Sequence, residues 1–305
     1  MKSNETITPL VSVALCTCNG ATYLREQLDT ILRQTHKHLE IVVVDDASTD
    51  NTMQILKEYA GKDHRIQLYQ NETNLGFNLN FQKAIGLCKG EWIAIADQDD
   101  IWHHQKLQIM LQQWDKGSVL LHCASQKFSS ATPVNYSQKP LSRGFSGTDV
   151  QQLAAKNTVE GHNILFHHSL KEKALPFHIN LFYDWWLGAV AAVNGGVQWI
   201  DQVFVWRRIH EHNTFEVQIA PLLDEQNVWK RHLQAFINIP GIKPRDKDFI
   251  NQFLELLNSS ATYQQWHRFI LQQRHVFFYY KKGIFAFLSK RKHSTKLARK
   301  LAASA

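Results

Sequence analysis

Cysteine is scarce in this 305-residue chain. The four present, Cys16, Cys18, Cys88 and Cys123, are too few and too irregularly spaced for a disulfide framework or a zinc-binding set. Cys16 and Cys18 close an expected strand, whose alternation turns both side chains to one face; a reducing compartment is the expectation. No uninterrupted apolar run approaches the ~18 residues needed for a bilayer-spanning helix. Residues 1–9 are polar and lack an apolar core segment, so no secretory signal is expected there. Glycine patterning is thin as well. No G-x-G-x-x-G follows the first apolar run and no G-x-x-x-x-G-K-[ST] occurs, which excludes a dinucleotide fingerprint and a P-loop. A phosphate-bearing ligand would here depend on a metal rather than on a glycine cradle.

Acid is missing from one region. Residues 261–305 carry ten Lys or Arg and no Asp or Glu. From residue 220 onward 15 basic residues face 5 acidic ones, whereas residues 1–219 carry 19 against 22. The C-terminal region is therefore a separate electrostatic object. Basic excess alone does not imply nucleic acid, and no recognisable nucleic-acid-binding module appears.

The chain is 44% apolar, enough for a sizeable core. Its first hundred residues alternate short apolar runs with helical stripes. Residues 10–17, 40–44, 66–69 and 93–96 read as strands. Between them Leu24, Leu28, Ile31 and Leu32, then Ile55, Leu56 and Tyr59, then Phe77, Phe81, Ala84, Ile85 and Cys88 read as helices. Ser48, Thr49 and Asp50 offer N-caps for the second. This β-α-β order predicts an α/β fold with a mainly parallel sheet covered on both faces. Such sheets bind ligands beyond the carboxyl ends of their strands. Asn19, Asp45, Asp46 and the Asp97-Gln98-Asp99-Asp100 cluster all fall at carboxyl ends.

The cluster is the sharpest signal. Three carboxylates within four residues repel one another unless a cation neutralises them, and oxygen ligands suit Mg or Mn. The plainer reading is a solvated acidic turn ahead of the next helix.

The segments Val11-Ser12-Val13, Asn19-Gly20, 42–50 (Val-Val-Val-Asp-Asp-Ala-Ser-Thr-Asp), Asn74-Leu75-Gly76 and 97–102 (Asp-Gln-Asp-Asp-Ile-Trp) resemble a family 2 glycosyltransferase of the GT-A type. Gly161-His162, Tyr183-Asp184-Trp185-Trp186 and 208–213 (Arg-Ile-His-Glu-His-Asn) extend the likeness. Together they resemble the bacterial rhamnosyltransferase-like branch that decorates surface polysaccharides such as lipopolysaccharide. The resemblance covers about residues 9–215. It implies a GT-A nucleotide-diphospho-sugar transferase fold, a UDP- or dTDP-sugar donor, a Mg or Mn ion and an inverting single displacement.

By the same resemblance, Asp45 or Asp46 accepts the N3–H of a pyrimidine, with Thr17, Asn19, Asp97 and Gln98 also at the donor. Asp97 and Asp99 match the D-x-D, and with His210 form the implied metal set. Asp184 matches the general base that deprotonates the acceptor hydroxyl, with His162 and Trp185 lining the acceptor side. Where the family often has a Tyr packed on the base, this chain has Cys18, so an altered base preference is implied. The chemistry agrees. A metal stabilises the departing diphosphate, so one carboxylate base suffices for inversion and no second carboxylic acid is needed.

Plainer roles exist for each residue. Asp184 could cap a helix running through Trp185, Leu187 and Val190. His210 could be a surface histidine, and His162 an incidental one among 16. Trp185, Trp186 and Trp199 could be core. A non-catalytic sugar- or nucleotide-binding relative, or a metal-dependent nucleotidyltransferase, are the competing functions. The latter usually carries a glycine- and lysine-bearing loop after its first strand, which 16–20 (Cys-Thr-Cys-Asn-Gly) is not.

Two units are expected: a transferase domain over 1–219 and a helical basic region over 220–305. Helices are expected at 222–239, 249–257 and 263–280, separated by Pro240-Gly241 and Pro244. Residues 281–292 then interleave Lys and Arg with Ile284, Phe285, Phe287 and Leu288, a pattern that suits an anionic membrane surface. The implied protein is cytoplasmic, peripheral on the inner face of the cell membrane, and acts on a saccharide or lipid-linked saccharide acceptor.

Overall fold

The computed structural model describes residues 8–129, 131–132, 134–136, 139–177, 181–211, 224–281 and 286–303, the side chains of 286–291 excepted. His212, Asn213, Leu222, Ile284 and Phe285, and the side chains of Phe287 and Leu288, lie outside the described residues.

The first half follows the expected alternation. β1 (Val11–Thr17), α1 (Leu24–Leu32), β2 (Leu39–Asp45), α2 (Thr52–Ala60), β3 (Ile66–Gln70), α3 (Phe77–Leu87) and β4 (Trp92–Ala96) succeed one another. β3, β2, β1 and β4 lie side by side in that order, all parallel. Alternate residues of each strand feed opposite faces. Ala14, Val42, Val44, Ile93 and Ile95 join one apolar cluster, while Val13, Leu15, Ile41, Val43 and Ala94 join another. Burial on both faces explains why these strands read as continuous apolar runs.

Beyond β4 the sheet turns mixed. β5 (Ile101–Trp102), β6 (Leu120–Phe128), β7 (Ile164–His167) and β8 (Val197–Arg208) extend it in the order β4-β7-β6-β8-β5. β7 is antiparallel to β4 and to β6, β6 and β8 are parallel, and β5 is antiparallel to β8. Two of these pairings build the site. β7 runs against β4 with Leu165 opposite Ala94, so the single 3-10 turn Gly161–Asn163 ahead of β7 lands beside the carboxyl end of β4. β5 pairs Ile101 with Trp206, which returns the end of β8 to the Asp97–Asp100 turn.

α4 (Lys106–Gln112) covers the same face as α1, and α5 (Val150–Ala155), α6 (Ser169–Ala174) and α7 (Tyr183–Asn194) cover the other. The C-terminal region is helical, as α8 (Glu225–Phe236), α9 (Pro244–Asn258), α10 (Tyr263–Gln272), α11 (Arg274–Phe277) and α12 (Ala286–Ala303). Pro244 does not separate helices but starts α9, where its missing N–H costs nothing. The single helix expected over 263–280 is broken at Gln273 into α10 and α11.

The expected boundary at 219/220 falls in a stretch outside the described residues. On its far side the helices share a core with the sheet: Val228, Phe236, Phe253, Trp266 and Ala298 belong to the cluster that holds Ala14, Ile93 and Trp186.

Candidate functional site

The carboxyl ends of β1, β2 and β4 form one edge. Thr17 stands opposite Asp45 in the β1–β2 register. The fully buried Asp45 carboxylate accepts from the Thr17 hydroxyl at 2.9 Å and from the Ser48 hydroxyl and N–H at 2.6 and 3.0 Å. Asp46 accepts from Asn71 Nδ2 at 2.7 Å and from the Leu75 and Gly76 N–H groups at 2.8 and 2.9 Å. Both carboxylates thus shape loops: Asp45 holds the turn into α2 and Asp46 the turn into α3.

Asn19 sits at φ 49°, in the left-handed region that Asn tolerates better than most residues. Its side-chain oxygen accepts from the Thr49 N–H at 2.8 Å, and its own N–H donates to the Ser48 hydroxyl at 2.8 Å. Gln98 clamps the same loop, accepting from the Cys18 N–H at 2.8 Å and donating to the Cys18 carbonyl at 3.1 Å. A Cβ on Gly20 would lie 2.2 Å from the Gln98 side-chain oxygen, so glycine is required for that clamp. Cys18 is only part-buried, and its sulfur accepts from Asn74 Nδ2 at 3.3 Å.

The acidic cluster splits in two. Asp97 points toward His162, whose Nδ1 is 3.6 Å from its carboxylate. Asp99 pairs with His210, Nε2 to carboxylate 2.8 Å. The expected metal set Asp97, Asp99 and His210 therefore does not converge as one group. Among the described residues, the set whose ligand atoms do lie within 4.8 Å of one another is Asp97, Asp100 and His162. Asp100 opens the short segment that pairs with β8, and there it accepts from the Arg208 N–H at 3.2 Å. Its other oxygen is buried with no hydrogen-bond partner among the described residues.

Burial and the neighbouring charges of Asp97 and Asp99 push the Asp100 carboxyl up to about 8, although His162 pulls it the other way. Burial opposes charge on His162, but Asp97 and Glu160 outweigh it and raise the imidazole to about 10. An orphaned buried carboxylate oxygen beside a carboxylate and an imidazole fits a divalent cation such as Mn or Mg.

Asp184 is the second residue of α7. Its carboxylate accepts from the Trp185 N–H at 2.5 Å and from Asn157 Nδ2 at 3.3 Å. It is not the N-cap, a position held by Phe182. Burial raises its carboxyl to about 7, against the opposing Trp185 N–H. Tyr183, immediately before it, carries a buried hydroxyl that a Cβ on Gly161 would meet at 2.0 Å. Burial, and then the charges of Asp97 and Asp184, hold that phenol well above its ordinary range.

Trp185 is core: its Nε1 donates to the Leu153 carbonyl at 2.7 Å, and its ring stacks on His232 with centroids 4.1 Å apart. Trp185 nevertheless also lines an open cavity of about 630 Å³.

Several residues here carried no role in the sequence reading. Lys106, fully buried, donates to the His162 carbonyl at 2.8 Å, and Asn157 reaches Asp184 from the loop after α5. Neither stands in a motif. A lysine at a helix start followed by leucine gives no hint of burial.

The family model described as glycosyl transferase family 2 matches residues 12–174. The chain is a family 2 glycosyltransferase. It is 28% identical over 243 residues to an uncharacterised glycosyltransferase of Rickettsia typhi, covering 77% of this chain and 74% of that one. It is 38% identical over 104 residues to a putative teichuronic acid biosynthesis glycosyltransferase of Bacillus subtilis, covering 34% and 41%.

Among solved structures, this glycosyltransferase superposes on S. aureus TarS 1-349 in complex with UDP-GlcNAc with a TM-score of 0.63, at 16% identity, covering 97% and 90% of the two chains. It superposes on the mannosyltransferase of Pyrobaculum calidifontis in complex with GDP-Man and Mn2+ with a TM-score of 0.61, at 18% identity, covering 98% and 84%. The fold is thus that of the GT-A glycosyltransferases, with a sheet that is mainly parallel, four of its seven strand pairings being so, and mixed beyond β4. The likeness reaches the family, not the rhamnosyltransferase-like branch within it.

Proposed function

We propose that this enzyme is an inverting transferase that moves a sugar from a UDP- or dTDP-sugar to a hydroxyl of a lipid-linked surface saccharide. The observation that carries the proposal is Asp184: a carboxyl at the start of α7, held by the Trp185 N–H and by Asn157 and raised to about 7 by burial. A base poised near working pH is what deprotonation of an acceptor hydroxyl requires. The donor lies along the carboxyl ends of β1, β2 and β4, with the base read at Asp45 or Asp46 and the loop of Thr17, Asn19 and Gln98 beneath it.

Asp97, Asp100 and His162 would hold the divalent ion, and Asp99 with His210 would close over the diphosphate. When bound, the ion supplies charge stabilisation to the leaving diphosphate. His162 would then serve the metal more directly than the acceptor, while Trp185 stands on the acceptor side. The complexes of the structural neighbours with UDP-GlcNAc and with GDP-Man and Mn2+ support a nucleotide-sugar donor and a divalent ion here. Among the described residues no helix is long and apolar enough to cross a membrane. The basic C-terminal region supports peripheral attachment to the inner face of the cell membrane.

The test is a screen of purified protein for Mn-dependent release of nucleoside diphosphate from UDP-, dTDP- and GDP-sugars. One donor class should be cleaved, and Asp184→Asn should keep donor binding while losing transfer. Neither binding nor cleavage of any donor would sink the reading.

A further inference from the structure

The cavity beside Trp185 lies against the acceptor side and carries chemistry that the donor site does not use. Its floor is aromatic: Trp185, Phe277 and Phe278 are buried, and Trp229 and Tyr280 are part-buried at its walls. Its rim is cationic, with Lys156, Lys296 and Lys300 exposed at its edge. Lys300 is paired with Glu225 at 2.6 Å, and among the described residues Glu225 is the sole acidic one lining the cavity. The chain from 261 to 305 cannot supply another carboxylate side chain, because it contains none.

Lys156 lies over the Tyr280 ring at 4.1 Å, and Lys281 approaches the same ring at 5.4 Å. Burial and the Lys281 charge together lower the Lys156 ammonium, as expected for neighbouring like charges.

The cavity is also wired to the candidate base. Asn157, on its wall, donates to Asp184 at 3.3 Å. The loop that carries Lys156 and Asn157 is pinned from the C-terminal region: the Tyr279 hydroxyl donates to the Lys156 carbonyl and meets the Thr158 hydroxyl, both at 2.8 Å.

We propose that this cavity is a binding site for an amphiphilic phosphate, its apolar chain on the aromatic floor and its phosphate or diphosphate at Lys156 and Lys296. The proposal rests on the transferase reading and gives its acceptor a chemical class: a molecule with an apolar chain and a phosphate linkage, whose hydroxyl-bearing portion extends past Asn157 toward Asp184. A cavity of this size falls within the usual range for small-ligand sites, and apolar walls with a few placed charges are their usual make-up.

The test uses calorimetry on the full chain, with farnesyl diphosphate, inorganic pyrophosphate and farnesol as probes. Each is run in EDTA and again with saturating UDP, so that the donor's diphosphate site cannot answer for the cavity. Farnesyl diphosphate should bind at least tenfold tighter than either fragment and should be insensitive to UDP. The Lys156→Gln/Lys296→Gln variant should weaken it tenfold or more. Both lysines are exposed, so that variant should keep its thermal midpoint; Trp229→Ala should weaken farnesyl diphosphate while leaving pyrophosphate unchanged. No binding, displacement by UDP, equal binding of either fragment, or unchanged affinity in the lysine variant would each overturn the proposal. UDP binding, measured separately, reports on the transferase reading, so the two can fail independently.

Discussion

The Lys106 ammonium donates to the backbone carbonyl of His162 at 2.8 Å and lies 3.4 Å from the centroid of the Trp102 ring. A fully buried lysine thus fixes the turn that presents His162 to Asp97 and Asp100. Lys106→Met keeps the stem and removes the charge. It orphans a buried carbonyl, at about 1–3 kcal/mol, and loses the cation–π contact, while relieving the cost of burying an ammonium. A net loss of about 1–2 kcal/mol is expected by urea denaturation. A variant as stable as the wild type would show that the ammonium is not holding the turn.

Gly161 and Tyr183 form a second fixed relationship. A Cβ at 161 would lie 2.0 Å from the Tyr183 hydroxyl oxygen and 2.8 Å from its Cζ. Gly161→Ala should therefore destabilise the fold by about 1–3 kcal/mol through overpacking. Adding Tyr183→Phe removes the nearest atom and should recover part of the loss. Equal destabilisation in both backgrounds would place the clash elsewhere.

Asp184 predicts a pH profile. A base must be ionised, so kcat/KM should rise with pH and level off above an apparent pKa of about 7, the value burial gives this carboxyl. Asp184→Asn should lose that limb and at least ~10² in turnover. Stability should move the opposite way. A carboxyl raised in the folded state binds its proton more tightly there than when unfolded, so the wild type loses stability as pH climbs from about 4 to about 7. Ionising it costs the fold up to about 4 kcal/mol, an upper bound because its edge meets solvent. The Asn variant should thus gain on the wild type between pH 5 and pH 8 in urea midpoints. A constant gap across that range would contradict the raised pKa.

The parallel half of the sheet was legible because its strands are buried on both faces and each ends in a polar break: Thr17, Asp45 and Asp97 could be placed at one edge from pattern alone. The mixed half was not. β7 and β8 enter against the chain order, so no local pattern shows that His162 meets Asp97 or that His210 meets Asp99. The family resemblance supplied those residues and put Asp99 with His210, but it set His162 on the acceptor side and left Asp100 out, since it does not show that Asp100 turns inward under Arg208. The break between α10 and α11 was also hidden, because an amphipathic stripe continues across Gln273.

The division of the acidic cluster can be measured directly. Asp100→Asn and His162→Ala should each lower Mn2+ affinity at least ~10-fold, as loss of a ligand should cost no less than loss of an outer-shell partner. Asp99→Asn removes the charge from the 2.8 Å pair with His210 but leaves the other three groups in place, and should cost less. Manganese titration followed by electron paramagnetic resonance ranks the variants. The reverse order would assign the ion to Asp99 and His210.

The basic end of the chain must be probed by charge rather than by deletion. In the second half of α12, Ser294, Ala298 and Leu301 are buried, and the Leu301 carbonyl accepts from Gln226 Nε2 at 3.0 Å. Removing residues after Tyr280 would delete that contact and uncover the groups it covers, so a truncated protein that fails to bind membranes could simply be misfolded. Lys282→Gln/Lys290→Gln/Lys292→Gln removes three charges from the interleaved segment without touching those buried positions. Each basic group near an anionic surface is worth ~1 kcal/mol, so partitioning onto anionic liposomes should fall by roughly 10²-fold. Raising salt should weaken the wild type in the same direction, because the attraction decays over a Debye length of ~8–10 Å. Anchoring through Ile284, Phe285 and Phe287 would instead survive both changes. If the wild type fails to float with anionic liposomes even at low salt, the segment is a solvated surface and the enzyme reaches its acceptor without a membrane contact of its own.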